Sequence, residues 1–150
     1  MGLNMEIIWT RDLESKSYAE GLRLRKEVFV KEQKVPAEEE VDEFEKDCYH
    51  LSIYDGEEAA ATGRILPKSG EKVKFGRVAV EKEKRGTGLG KLVMEEMEKK
   101  TRELGYKKII LGGQLSAVPF YEKLGYTPYG DIFLDGGIEH RMMKKDLREE

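Results

Sequence analysis

With 150 residues, 39% of them hydrophobic and 38% charged, the chain has the balance of one globular domain able to bury a core, over residues 1-150, and not that of a disordered segment. A net charge of −3 leaves no basic face suited to nucleic acid, and no apolar run approaches the length of a membrane span, so neither is an expected partner. Cys48 is the only cysteine, which excludes an intrachain disulfide and fits a reducing compartment.

Met1 to Trp9 lacks a basic start and a long apolar stretch, so a cytoplasmic location is expected, with Met5 an alternative native start behind a four-residue leader. Glu6 to Trp9 reads as a first strand. Tyr18, Leu22, Leu24, Val28 and Phe29 carry helical spacing over Ser17 to Gln33, and Pro36 stops that helix. The acidic run Glu38 to Asp47 has little apolar content and reads as a loop or a solvated helix. Tyr49 to Tyr54 and Ala59 to Leu66 form a hairpin across Asp55-Gly56. In Val73 to Val80 the apolar face sits on odd positions at Val73 and Phe75 and on even ones at Val78 and Val80. A strand has period two, so the phase slips near Gly76-Arg77, as a β-bulge would make it. Leu89, Leu92, Val93, Met97 and Leu104 mark a helix over Thr87 to Leu104, capped by Gly105. Lys108 to Leu111 is a short buried strand ending at Gly112-Gly113. Ser116 is placed to cap a short helix that ends near Gly125, and Ile132 to Leu134 with Ile138 to Met143 make a last hairpin over Asp135-Gly136-Gly137. The order predicts an α/β domain, a twisted sheet with helices on both faces.

The chemistry begins at Arg85-Gly86-Thr87-Gly88-Leu89-Gly90, between a strand and a helix. Three glycines in five residues expose backbone N–H groups, and the helix N-terminus adds partial positive charge, which together make an anion cradle. Lys91-Leu92 does not supply the Gly-Lys-Ser/Thr ending of a nucleotide P-loop, and glycines at 86, 88 and 90 miss the Gly-x-Gly-x-x-Gly spacing of a dinucleotide site. An arginine at the head of the cradle suits a pyrophosphate. Thirty residues on stands Ala117-Val118-Pro119-Phe120-Tyr121-Glu122-Lys123-Leu124-Gly125-Tyr126.

Strand, Arg-Gly-x-Gly-x-Gly, helix, strand and Phe-Tyr-x-Lys-x-Gly-Tyr, at this separation, resemble the GCN5-related N-acetyltransferase (GNAT) family from about Leu51 to Tyr126. Leu24 to Gln33 and Gly136-Gly137-Ile138-Glu139-His140 extend the likeness toward the small bacterial ElaA-like subgroup, and the tail is also similar to glyphosate-acetylating members. The resemblance implies a single-domain GNAT-like fold, a mixed central sheet with a splayed strand pair and helices on both faces. It implies acetyl-CoA as co-substrate, its pyrophosphate on Arg85, Gly86, Thr87, Gly88, Leu89 and Gly90, and its pantetheine arm on the strand backbone at Val78, Ala79 and Val80. Gln114 and Phe120 join that coenzyme site.

Acetyl transfer to an amine needs a held thioester, a neutral amine, help for the oxyanion and a proton for the departing thiolate. Tyr121, matched to the Phe-Tyr motif, is the candidate acid, since a phenol titrating near ~10 stays protonated at neutral pH; its alternative is core packing beside Phe120 and Tyr126. His140, placed like the tail histidine of the glyphosate-acetylating relatives, is the candidate base, with Glu32 or Glu38 to Glu40 as carboxylate competitors. The oxyanion would meet the strand backbone near Val78 or Val80. His50 reads as structural, and nothing activates Cys48 for an acyl-enzyme, which leaves direct attack in a ternary complex. No histidine, cysteine and carboxylate spacing points to a metal. Arg25 and Arg77, with Arg64, are candidates to bind an anionic substrate, while Glu38 to Glu45 would instead steer a cationic amine; the residues leave that choice open. The expected activity is N-acetylation of a small-molecule or peptide primary amine, with a homodimer left open. The alternative is a catalytically silent acyl-CoA-binding sensor or partner module, which loss of Tyr121 would have favoured; another acyl donor or an O-linked acceptor is a further rival.

Overall fold

Seven apolar-patterned segments build one mixed sheet in the order β1-β2-β3-β4-β5-β7-β6. In the structure, a computed structural model that describes residues 5–149, these are β1 (Met5–Thr10), β2 (Tyr49–Asp55), β3 (Glu58–Pro67), β4 (Lys72–Val80), β5 (Lys108–Gln114), β6 (Thr127–Asp135) and β7 (Ile138–Asp146). The expectation about a leader at 1–4 lies outside the described residues. Every neighbouring pair is antiparallel except β4 and β5, which run parallel and are joined by the crossover helix α3 (Leu89–Glu103). α1 (Lys16–Arg25) packs on one face of the sheet and α3 on the other, as the adjacent positions Thr62 and Gly63 show: the first meets α1 at Gly21, the second meets Met97 of α3. Between α3 and the sheet lies the main core, where Ile53, Ile65, Val73, Phe75, Val93, Met97, Ile109 and Met143 are all but inaccessible. No helix among the described residues is long and apolar enough to cross a membrane.

The β4–β5 ladder is short. Pairing runs from Lys72↔Lys108 to Phe75↔Leu111 and stops, although β4 continues to Val80 and β5 to Gln114. Beyond Phe75 the two strands part, so the backbone of Gly76 to Val80 has no strand partner on its β5 side. The cause is the expected bulge. Thr62 pairs with Ala79 and Arg64 with Gly76, so three steps of β4 answer two of β3. The residue that takes the left-handed conformation is not the glycine but Arg77, at φ 52°. Its guanidinium Nε donates to the Glu40 carbonyl at 3.0 Å and carboxylate at 3.1 Å, which holds the strained turn from outside the sheet.

Several boundaries differ from the sequence reading for identifiable reasons. The helix predicted to Gln33 is α-helical only to Arg25 and then π-helical over Lys26–Glu32, closing with Gln33 N–H to Val28 C=O at 3.0 Å. The acidic run is solvated only in part: Glu38, Glu39, Glu43 and Asp47 are exposed, while α2 (Ala37–Glu40) and a 3₁₀ turn at Glu45–Asp47 bury Glu40 and Glu45 against arginines. Gly112 and Gly113 do not end β5, since they stay in register with Met142 and Arg141 of β7. β6 begins at Thr127, well before Ile132. Ser116 does not cap α4 (Val118–Lys123): Ala117 is the cap residue, without a side-chain hydrogen bond, and a proline opens the helix.

Candidate active site

The parted strands open a cavity of about 560 Å³. Its walls are Gly76, Arg77 and Val78 of β4, Leu111, Gly112 and Gln114 of β5, Tyr121 of α4, and Phe133 and His140 of the β6–β7 hairpin. Phe29 and Gln33, from the π-helical turn and its end, close one side. The Gln114 amide donates to the Gln33 side-chain oxygen at 2.8 Å, tying β5 to that turn across the cavity.

Tyr121 and His140 reach the cavity from opposite faces of β5. A Cβ on Gly113 would stand 3.1 Å from Tyr121 Cδ2, and one on Gly112 would stand 3.3 Å from Phe133 Cζ, so the paired glycines let an aromatic ring lie close on each side of the strand. Tyr121 makes edge-on contacts with Phe120 at 5.1 Å and Tyr126 at 6.1 Å. Burial pushes its phenol up to about 12, so the hydroxyl keeps its proton as a donor. His140 Nδ1 lies 2.7 Å from the Ile138 carbonyl. A carbonyl can only accept, so Nδ1 carries the proton and Nε2 is the basic nitrogen. Its ring stacks on Phe133 at 5.7 Å and 29°, which fixes its orientation.

At the other end of the parted β4, Gly86 and Gly88 adopt φ 81° and 89°, and Gly88 caps α3 without any side-chain hydrogen bond. The first N–H groups of α3, at Leu89 to Lys91, have no intrahelical acceptor and point toward the loop. A Cβ on Gly90 would lie 3.6 Å from Phe120 Cζ and 3.9 Å from Val80 Cγ2, so cradle, Phe120 and Val80 share one wall. The Leu89 side chain is in the main core, and Ala79 packs with Leu24 and Val28; at both positions only the backbone can face a coenzyme. Arg85 holds Glu32 in a two-pronged pair at 2.9 Å and donates from Nε to the Val80 carbonyl at 3.1 Å.

The other candidates divide: Arg64, Arg77 and Glu38 to Glu40 stand on the cavity wall as well. Arg25 does not line the cavity. It is 2% exposed, and its guanidinium donates to the Glu40 carboxylate and carbonyl and to Glu45 Oε1 at 2.7 Å, so it is a buried structural ion pair and not a substrate ligand. Arg64 likewise binds Asp42 at 2.7 Å and Glu45. Arg77 does line the cavity, yet it is engaged by Glu40 and Asp42. Among the carboxylate competitors for the base, the Arg85 hydrogen bond holds Glu32 below its ordinary range, the opposite of what a general base needs. His50 is buried, with Nε2 at 2.8 Å from the Glu45 carbonyl and Tyr18 edge-on at 4.8 Å. Cys48 is buried, and its thiol is pushed up to about 11 by that burial, an inert position. Sequence reasoning passed over Gln33 and Phe133. The second had a signal: a hairpin over Asp135-Gly136-Gly137 pairs Phe133 with His140.

A family model described as an acetyltransferase (GNAT) domain matches residues 13–147. The Bacillus subtilis protein YjcF, named an uncharacterized N-acetyltransferase, is 46% identical over 124 residues, 82% of this chain and 88% of that relative. Among solved structures, an acyl-CoA N-acyltransferase from Pseudomonas aeruginosa superposes with a TM-score of 0.85 at 29% identity, covering 95% of this chain and 99% of that one. Escherichia coli ElaA superposes with a TM-score of 0.82 at 27% identity, covering 94% and 100%. The chain belongs to the GNAT acetyltransferase family and is an acyltransferase.

Proposed function

We propose that the protein transfers an acetyl group from acetyl-CoA to a primary amine of a small molecule or peptide, by direct attack in a ternary complex. The observation that carries this reading is the parting of β4 from β5 after Phe75↔Leu111. It leaves a stretch of unpaired strand backbone between a glycine cradle at one end and the Tyr121–His140 cavity at the other. In this reading the cradle and Arg85 take the pyrophosphate, which requires Arg85 to release Glu32. The backbone of Val78, Ala79 and Val80 takes the pantetheine arm and polarises the thioester carbonyl. His140 Nε2 accepts a proton from the amine, directly or through water, and the attack forms the C–N bond. The C–S bond then breaks, and Tyr121 donates to the departing sulfur. A phenol raised by burial is a weak acid, so its contribution lies mainly in the hydrogen bond it gives as charge develops on sulfur.

The test is acceptor-dependent release of the coenzyme thiol, measured with acetyl-CoA and an amine library across pH. A base that must take up the amine proton gives the pH profile an acid limb, and His140→Ala is expected to remove that limb. Survival of the acid limb in the variant, at the same midpoint, moves the base elsewhere. Coenzyme binding with no amine-dependent thiol release would instead favour an acyl-CoA sensor.

A further inference from the structure

The sheet face that carries His140 continues away from the cavity without a helix over it. Side chains alternate along a strand, so His140, Met142 and Lys144 of β7 share this face. Lys144 is in register with Ile110 of β5, Ile110 with Lys74 of β4, and Lys72 with Lys108. Four lysines from three strands therefore surround Ile110. Lys72, Lys108 and Lys144 wall a trough of about 760 Å³, while Lys74 faces the catalytic cavity next to it.

Their charges are only partly compensated from within: Asp146 stands opposite Lys108 in the β5–β7 register, and the Lys144 ammonium lies over the Tyr129 ring at 5.1 Å. None of these four lysines forms an ion pair among the described residues, and the one carboxylate lining the trough, Asp146, is held by Arg148 at 2.7 Å. Lys72 and Lys108 stand directly opposite on paired strands, where like charges repel. Burial first, and then the nearby Lys68, hold the Lys74 ammonium below its ordinary value, against the opposing pull of Asp135. A chain of net charge −3 that gathers four cations here places them against an external anion.

The choice of lysine narrows the anion. This chain meets its own carboxylates with arginine forks, Arg25, Arg64 and Arg77 on Glu40, Asp42 and Glu45. In the trough it sets compact ammonium groups around a hollow, which suits the several acceptor oxygens of a phosphate better than a planar carboxylate. Four residues of strand separate His140 from Lys144, roughly 13 Å. Resting on the acetyl-transfer reading above, we propose that the trough binds the phosphate end of the acceptor, so that the substrate is a phosphorylated amine whose nitrogen reaches His140.

Two measurements decide it. Inorganic pyrophosphate is titrated by calorimetry into protein saturated with acetyl-CoA, so that the coenzyme's own phosphate site is filled. Binding is expected in the wild type and should weaken at least about tenfold in K72Q/K108Q/K144Q, which removes three charge-assisted contacts. Acetyl-CoA affinity should stay unchanged in that variant. Matched amines with and without a terminal phosphate are then compared by kcat/KM. The wild type should favour the phosphorylated member about tenfold or more, and the triple variant should lose that preference while acetylating the unphosphorylated twin as before. Equal pyrophosphate binding by the variant, equal rates for both twins, or a better rate with acidic peptides lacking phosphate would each overturn the proposal. If no amine is acetylated at all, the acetyl-transfer reading fails, and the calorimetry alone still settles the trough: pyrophosphate bound and lost in the variant upholds it, and no such loss overturns it.

Discussion

Gly113→Ala is the most informative single methyl to add to this protein. The new Cβ would lie 3.1 and 3.2 Å from two ring carbons of Tyr121 and 3.4 Å from Met143 Sδ. Carbon atoms sit comfortably at about 3.5–4.0 Å, so the Tyr121 ring must retreat by about 0.5 Å. Met143 is fully buried behind the strand and cannot yield instead. Gly113 is not in the left-handed region, so alanine meets no backbone penalty there, and the cost is overpacking of about 1–3 kcal/mol. In a domain of this size that is a fall in Tm of a few degrees, about 2–4 °C per kcal/mol. A 1 Å misplacement of a reacting group costs about 10²-fold, so a half-ångström retreat should lower kcat roughly tenfold. Acetyl-CoA affinity should hardly move, because the cradle lies on another element. Tyr121→Phe alone should lower kcat by about 10²–10⁴-fold if its hydroxyl assists the leaving thiolate. The decisive assay is the double-mutant cycle, with kcat from thiol release under conditions where chemistry limits the rate. On the Phe background, Gly113→Ala should cost little further, since the hydroxyl it displaces is already gone. The same tenfold loss on both backgrounds would refute the reasoning and make Tyr121 a packing residue.

Gly88→Val places a β-branched side chain at φ 89° with nothing within 4 Å, so the fold loses only about 1–2 kcal/mol of backbone strain while the N–H groups of the cradle turn away from a bound anion. Calorimetry should show acetyl-CoA affinity at least about tenfold weaker; unchanged affinity would remove the pyrophosphate from this loop. Arg25→Met leaves Glu40 and Glu45 buried beside an apolar chain and should destabilise the protein by about 3–5 kcal/mol in urea unfolding. Burial alone would raise the Glu45 carboxyl, but the hydrogen bond and charge of Arg25 outweigh it and hold it below its ordinary value. That contribution is fully present above the unfolded carboxyl value near ~4.3 and is lost as pH falls through the lowered folded one, so the gap between wild type and variant should close in acid.

What the sequence made legible was whatever depends on local spacing. The slip from odd to even apolar positions around Gly76-Arg77 located the bulge, and the glycines of residues 85–90 located the cradle, because both are properties of a few consecutive residues. The motif singled out Tyr121 and the tail hairpin His140, and the structure brings both to the wall of one cavity. Long-range pairing was not legible. Arg25 looked available for substrate because the carboxylates that hold it are distant in sequence; its partners Glu40 and Glu45 lie 15 and 20 residues away. For the same reason Glu38 to Asp47 looked solvated. The two glycines ending the predicted β5 looked like a stop signal, where the fold uses them to admit Tyr121 and Phe133 at close range.

The buried charge network bears on a conflict that composition leaves open, between an anionic substrate drawn by arginines and a cationic one drawn by the acidic segment. Glu40, Asp42 and Glu45 face Arg25, Arg64 and Arg77 in a closed set of pairs, three carboxylates against three guanidiniums. Such a set has almost no field left to attract a substrate of either sign, and its desolvation makes it a poor source of net stability. Its effect is geometric. Arg77 is the strained residue of the bulge, and Glu40 reaches both it and Arg25, so the acidic segment fastens the bulged strand to the end of α1. Glu40 Oε2 takes the guanidinium bonds while Oε1 has no hydrogen-bond partner, a lopsided arrangement that serves position and not charge satisfaction. If the segment let go, Arg77 would lose the bonds that offset its left-handed backbone, and β4 could relax toward regular pairing with β5. The cleft between the two strands would narrow. The charges outside that set near the cleft are the exposed Glu38 and Glu39 on the cavity wall and the lysines on the open face of β4, β5 and β7, a few residues along the sheet from His140.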